Sequence, residues 1–486
     1  MNKPLFAKLL VANRGEIAVR IMRACRELGI KTVAIYSDAD EQSIHARYAD
    51  EAHRIGGPAA ADSYLQLEKI IQLAVAVGAE AIHPGYGFLS ERPEFSEGCD
   101  AAGVVFVGPS ASAMRALGSK LEARALAAAH GVPLPPGSGS LQDPSEAMRW
   151  AREIGFPVIV KPSGGGGGIG MKVVEREEEL ERSVESCRSA AQAAFGDPTV
   201  YVERYILQPR HIEIQIIADH HGNVVHLGER ECSIQRRHQK ILEETPSPAI
   251  NSELRKRMGE AAVTTARAAG YTNAGTVEFV FSQGEFYLLE VNARLQVEHP
   301  VTETVTGIDL VKEQLRVAAG LPLSFRQEDI KWSGHAIEMR INAEDPAQGF
   351  IPNPRRISRW VAPAGPGVRI DSGFGPGSEI PPYYDSLVAK LIVYGADRAE
   401  AVARGQRALR EYVLAGPATT LPYHQAILEC PDFQAGQLTT AFIDEHPELL
   451  ESMQRHLTER SPMDPVRDPR RIAAAVASVA AMMTNS

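Results

Sequence analysis

The sequence predicts an α/β N-terminal region, an α+β body and a closing region of mixed β structure. Three observations predict it. Residues 6–12, 16–28 and 31–36 read as strand, amphipathic helix and strand, a βαβ opening. Residues 211–218 alternate polar and apolar side chains, and apolar runs at 275–281 and 285–292 follow in hairpin order. Between these regions stand the five consecutive glycines 164–168, from which no side-chain core can be built.

Composition excludes several classes. A chain of 486 residues with a net charge of −10 is long enough for several domains, and its surface repels a phosphate backbone, so nucleic acid is not an expected partner. Cys25, Cys99, Cys187, Cys232 and Cys430 are scattered without paired spacing, which fits a reducing compartment and argues against a disulfide framework or a zinc site. The opening residues lead directly into an apolar strand, so no signal peptide is expected. The Ala-rich stretch 472–483 is too short to span a bilayer. The expectation is a soluble, cytoplasmic protein that does not enter membranes.

Taken in order, the first turn is Asn13-Arg14-Gly15-Glu16, and Gly29 stops the first helix. Asp38 and Asp40 stand where a dinucleotide fold holds a ribose, but the first turn lacks Gly-x-Gly-x-x-Gly, so an NAD site is rejected. A helix is expected at 63–77 and a strand end at Ala81-Ile82. The Gly-rich, aromatic loop 83–91 after that strand sits where open α/β sheets gather ligands. Residues 104–107 form the next strand, and the Pro/Gly-rich segment 131–140 a hinge. A helix at 145–154, strands at 157–161 and 171–174, and a solvated helix face at 175–182 follow. The glycine run between those two strands fits close approach of backbone N–H groups to an anion in a loop that can move. It is not a Walker loop, since no Gly-Lys-Ser/Thr follows.

Strands at 199–202, 211–218 and 224–228 precede Arg236, Arg237, His238 and Lys240, a cationic cluster in an acidic chain that fits a small anion better than a solvated ribbon. Helices are expected at 252–269, 301–319 and 398–412, a strand carrying Glu338 and Arg340 at 335–341, and an appended helix in the tail.

The chemistry is expected in the row Glu290, Asn292, Arg294, Gln296 and Glu298, which even spacing places on one face while the chain stays extended. Such a row leaving a buried strand needs partners or a metal. Hairpin register decides which. A two-residue loop sets Glu278 opposite Leu289; a three-residue loop of Gln283, Gly284 and Glu285 sets Glu278 opposite Glu290. Two carboxylates so placed repel unless a divalent cation lies between them, so the longer loop is expected, with Glu278, Glu290 and Asn292 as an oxygen-only set suited to Mg²⁺.

Residues 12–17, 83–91, Lys161 with the glycine run, 235–240, 290–300 and 340–345 occur together in the order found in the biotin carboxylase family of the ATP-grasp superfamily, and the sequence resembles that family from about Leu9 to Leu449. The resemblance implies a Rossmann-like N-terminal domain at 1–118, an ATP-grasp domain at 119–330 with a mobile glycine-rich lid near 135–203, a C-terminal domain at 331–449 and a tail helix at 450–486. It implies ATP-dependent carboxylation of biotin by bicarbonate through carboxyphosphate, with Mg²⁺ or Mn²⁺. By resemblance, Lys120, Lys161, Gly166, Gly167, Gly168, Glu203, Arg204, Ile206, His211, Gln235, His238, Glu278 and Glu290 bind ATP. Lys240, Arg294, Gln296 and Val297 hold bicarbonate, and Tyr86 and Arg340 meet biotin. Glu298 is the implied base, with Arg340, Arg294 and Lys240 as its catalytic neighbours.

Ile169 departs from the basic residue frequent in the family, which removes a possible phosphate contact. The biotin attachment pattern Ala-Met-Lys-Met is missing; the near match at 170–173 lies inside the lid. The expected partners are therefore a separate biotin carboxyl carrier protein and a carboxyltransferase, with the chain itself a homodimer serving an acyl-CoA or pyruvate carboxylase. Another ATP-grasp ligase of carbamoyl-phosphate type, or a nucleotide-binding scaffold without catalysis, are the rival readings.

Overall fold

The computed structural model describes residues 5–141, 144–163 and 170–458. The first β sheet has five parallel strands in the order Glu51–Gly56, Lys31–Ser37, Lys8–Val11, Ala81–His83, Val105–Phe106. Leu9, Leu10 and Val11 are fully buried, as a strand covered on both faces requires. Gly15–Glu27 packs on it through Ile17, Ile21 and Met22. Asn13 turns the chain at the carboxyl end of Lys8–Val11 and ties it to the neighbouring loop, donating to the carbonyls of Pro84 at 2.7 Å and Tyr86 at 2.8 Å. Asp40 braces this turn: it accepts from Arg14 at 2.5 and 2.8 Å and from Tyr64 at 2.6 Å.

An eight-stranded antiparallel sheet forms the body, ordered Glu285–Asn292, Asn273–Ser282, Arg210–Ala218, Val224–Arg236, Gln239–Thr245, His335–Asn342, Leu387–Gly395, Val368–Ser372. One sheet thus runs through both sides of position 330. The strand expected to stop at Gly228 continues to Arg236, because a register shift between His226 and Glu229 lets the chain bend and go on. The single helix expected at 301–319 is two, His299–Thr306 and Leu310–Ala318, since Gly307 takes φ +72° at the C-terminus of the first.

A smaller unit stands beside this body. Its sheet is ordered Lys172–Val174, Val158–Pro162, Val200–Arg204, packed against helices Pro144–Ile154 and Leu180–Phe195 around a core of its own. The run 175–182, read as one solvated helix face, is the short turn Glu177–Glu179 opening a helix that buries Leu180, Val184, Cys187 and Ala191 at helical spacing. Gly166, Gly167, Gly168 and Ile169 lie outside the described residues, as does the tail beyond Thr458. The described part of the tail is helix Glu448–Thr458, which buries Leu449 and Met453.

The hairpin corrects the loop expectation. Ser282 pairs with Glu285, so the loop is the two residues Gln283 and Gly284, both left-handed at φ +51° and +84°. A two-residue loop alone sets Glu278 against Leu289. Between Phe279↔Leu288 and Glu278↔Glu290, however, the register shifts by one residue. Leu289 is the extra residue of a β-bulge, and the bulge, not the loop, brings the two carboxylates opposite each other.

Candidate active site

The parallel sheet's carboxyl end, the smaller unit and the antiparallel sheet enclose a cleft of about 880 Å³. Tyr86, Lys120, Lys161, Glu203, Arg204, Ile206, His211, Gln235, His238, Lys240, Glu278, Glu290, Asn292, Arg294, Gln296, Val297 and Arg340 all line it. Glu298 lies beneath, at 0% exposure.

The row at 290–298 converges by a different route from strand periodicity. The strand ends at Asn292, the chain then bends, and Glu298 stands at the N-cap of His299–Thr306. Arg294 is held by Glu91 at 2.8 Å and by the Asn292 side-chain oxygen at 3.0 Å. The cationic cluster splits as well. Arg237 and His238 form a left-handed hairpin tip at φ +49° and +63°, and His238 and Lys240 face the cleft. Arg236 turns away, donating to Gly349 at 2.7 Å and lying 4.3 Å over the Phe350 ring.

Lys240 is the electrostatic centre. Its Nζ donates to Glu213 at 2.5 Å, Glu278 at 2.9 Å and Glu298 at 2.6 Å. Arg340 donates to the other oxygen of Glu298 at 2.9 Å and to Glu243 at 2.6 Å. Burial by itself would raise the Glu298 carboxyl, but Lys240, Arg340 and Arg230 hold it well below the usual carboxylate range. Burial likewise opposes the charge on Lys240, and its three carboxylates win, raising its pKa. Glu298 is therefore a fully buried carboxylate held by two cations at the cleft floor.

Glu278 also takes hydrogen bonds from Asn292 at 2.9 Å and Gln296 at 3.2 Å, and pairs with His211 at 3.0 Å. Across the hairpin, burial and Glu278 raise the Glu290 carboxyl, while Lys120, at 3.8 Å, lowers it. A divalent cation would relieve that repulsion, and two opposed carboxylates beside an amide oxygen suit Mg²⁺ or Mn²⁺, so the residues present fit the metal. The neighbouring group of His211, Glu213 and Glu278 is less apt. Glu213 is already matched by Lys240 and by the fully buried Arg230.

Among the functional neighbours, sequence reasoning placed Glu91 in the 83–91 site loop without a role and missed Arg124, Glu213, Arg230 and Glu243. Arg124 and Lys161 share Glu203, the lysine at 2.7 Å. Glu213 had a signal: it shares a strand face with His211 and Gln215 between three isoleucines, an acid where a buried sheet wants an apolar residue. The others carried none, because their partners lie far along the chain.

The middle of the chain, residues 119–326, matches the family described as carbamoyl-phosphate synthase L chain, ATP binding domain, which sets the class of the cleft. Residues 5–114 and 338–445 match the biotin carboxylase N-terminal and C-terminal domains. A pyruvate carboxylase subunit from Methanothermobacter thermautotrophicus is 55% identical over 94% of this chain and 93% of its own. Biotin carboxylase 1 of Bacillus subtilis is 54% identical over 90% of this chain and 98% of its own. The biotin carboxylase domain dimer of Hydrogenobacter thermophilus 2-oxoglutarate carboxylase, solved with MgADP, ADP and bicarbonate, is 48% identical, with TM-score 0.88 over 92% of this chain and 99% of that one. The chain belongs to the biotin carboxylase family.

Proposed function

We propose that the protein is a ligase that carboxylates biotin on a separate carrier, consuming ATP and bicarbonate by way of carboxyphosphate, as the first half-reaction of an acyl-CoA or pyruvate carboxylase. One observation carries the reading: a buried Glu298 held between Lys240 and Arg340, adjoining the cleft residues Arg294, Gln296 and Val297.

Bicarbonate carries one proton that must leave before it attacks the γ-phosphoryl group. The Arg294 guanidinium suits a planar anion, and Glu298 takes the proton, its charge otherwise balanced by Lys240 and Arg340. Lys120 and Lys161 offer positive charge along the phosphates and His238 a ring N–H, because phosphoryl transfer needs positioned donors and cations rather than covalent help. Glu278, Glu290 and Asn292 would hold the metal, which neutralises phosphate charge when bound. Carboxyphosphate hydrolyses in water, so the smaller unit beyond the 131–140 hinge closes over it. Arg340 steadies the ureido oxygen of biotin as its nitrogen loses a proton.

The relatives support a homodimer that works with a biotin carrier and a carboxyltransferase: the Hydrogenobacter structure is of a dimer, and the Methanothermobacter relative is one component of a pyruvate carboxylase. Five free, buried cysteines fit a cytoplasmic setting, and no described helix is long and apolar enough to cross a membrane. ADP release measured with bicarbonate tests the reading. Release that depends on biotin is expected. Biotin-independent turnover would point to a carbamoyl-phosphate-type ligase, and ATP binding without turnover to a scaffold.

A further inference from the structure

Glu243 and Glu338 have no part in the mechanism above. They are directly opposed across strands Gln239–Thr245 and His335–Asn342, so their side chains leave the same face with Cβ atoms about 5 Å apart. Both are 0% exposed. One oxygen of Glu243 accepts from Arg340 at 2.6 Å. Its other oxygen and both oxygens of Glu338 have no hydrogen-bond partner among the described residues.

The charged and titratable groups facing the pair are Arg340 on the strand of Glu338, Lys390 on the adjoining strand, Glu298 at the helix N-cap, and Tyr86. Lys240 also acts on Glu243. Lys390 is engaged elsewhere, by the Val297 carbonyl at 2.8 Å and Glu16 at 3.0 Å. Ala336 and Ile392, beside Glu338 on the sheet, pack against Val301 and Val305, an apolar surrounding that disfavours a charge. Two ionised carboxylates on opposed residues would repel and leave three buried oxygens without a donor; one proton supplies the pair with an O–H that the neighbouring carboxylate can accept.

We propose that Glu243 and Glu338 share a single proton at neutral pH and so act as the positioning pair of Arg340. Burial pushes Glu243 up to about 7 and Glu338 well above the usual carboxylate range, with Glu243 adding to the rise at Glu338. The pair titrates as one unit. With one proton it carries a single charge, and Arg340 divides between it and Glu298 while still lining the cleft. Loss of the last proton doubles the charge beside the guanidinium and draws it out of the cleft. The assignment to Arg340 rests on the function proposed above; the shared proton does not.

Two measurements on the full chain test this. In infrared difference spectra between neutral and alkaline pH, the wild type should show a protonated-carboxyl C=O stretch that Glu338→Gln lacks. No such band at neutral pH, or an unchanged band in the variant, overturns the proposal. In the second, the wild-type KM for biotin should rise at least threefold on alkalinisation while Glu338→Gln, whose amide keeps a donor at every pH, stays flat; parallel profiles overturn it. Should Glu338→Gln not fold, Glu243→Gln carries the infrared arm: without its neighbour's charge Glu338 should lose its band at a lower pH than in the wild type, and an unchanged titration of the band overturns the proposal. A band without biotin-dependent turnover sinks the enzymatic reading alone, and turnover without the band sinks the pair alone.

Discussion

At the residue scale the cleft floor is a charge balance. Lys240 serves three buried carboxylates, so its removal leaves Glu213, Glu278 and Glu298 short of a cation. Lys240→Met should cost about 3–5 kcal/mol in denaturant unfolding. The sign of its pH dependence follows. In the wild type Glu278 and Glu298 sit below the usual range, so their contribution is present above roughly pH 4.3 and lost on further acidification. In the variant Glu278 keeps, of its positive partners, only His211 and Glu298 only Arg340 and Arg230, so both carboxyls should rise toward their unfolded values and the acid loss of stability should flatten, read from urea midpoints against pH. Glu298→Gln keeps the shape and removes the proposed base. It should lower biotin-dependent ADP release by about 10²–10⁴-fold while leaving ATP affinity within a few-fold, as checked by turnover and equilibrium binding. Glu298 was legible because it stands in a dense polar run leaving a buried strand; Glu243 and Arg230 were not, because Glu243-Glu244 and Glu229-Arg230-Glu231 read as solvated charge clusters until their partners across the sheet are known.

At the element scale, the hairpin carrying Glu278 and Glu290 shows how a correct pairing can arise by an unexpected route. Gln283-Gly284 is a left-handed two-residue turn, whose backbone twist matches the flanking strands. The strand parity it imposes is reversed at Leu289 by the bulge. Sequence exposes turns through glycine, but a bulge leaves no residue signature when its extra residue is an ordinary leucine that also lines the cleft. Gly284 has open space around its Cα, so Gly284→Ala tests backbone conformation alone. It should cost about 1–2 kcal/mol, seen as a lower denaturant midpoint with an unchanged m-value.

At the scale of the molecule, one sheet joins the strands that carry Glu278 and Lys240 to the strand that carries Arg340. Lys390 fastens this sheet to Glu16 of the first helix and to the Val297 loop. Gly373 makes the same seam by close approach, where an added Cβ would lie 2.5 Å from the Gly15 backbone. Gly373→Ala should cost on the order of 1–3 kcal/mol and raise KM for ATP and biotin together, since both sides of the cleft share that contact; a calorimetric Tm and two KM values check it.

The sequence by itself determined the βαβ opening, the alternating strands, the residues of the cleft and, through their order, the family, since periodicity and clustered polar side chains are local properties of the chain. Tertiary structure alone decided that Glu278 faces Glu290 through a bulge, that three carboxylates share Lys240, and that Glu243 meets Glu338. Each depends on register between segments distant in sequence, and register is set by packing and charge compensation across the whole sheet rather than by any short stretch of residues.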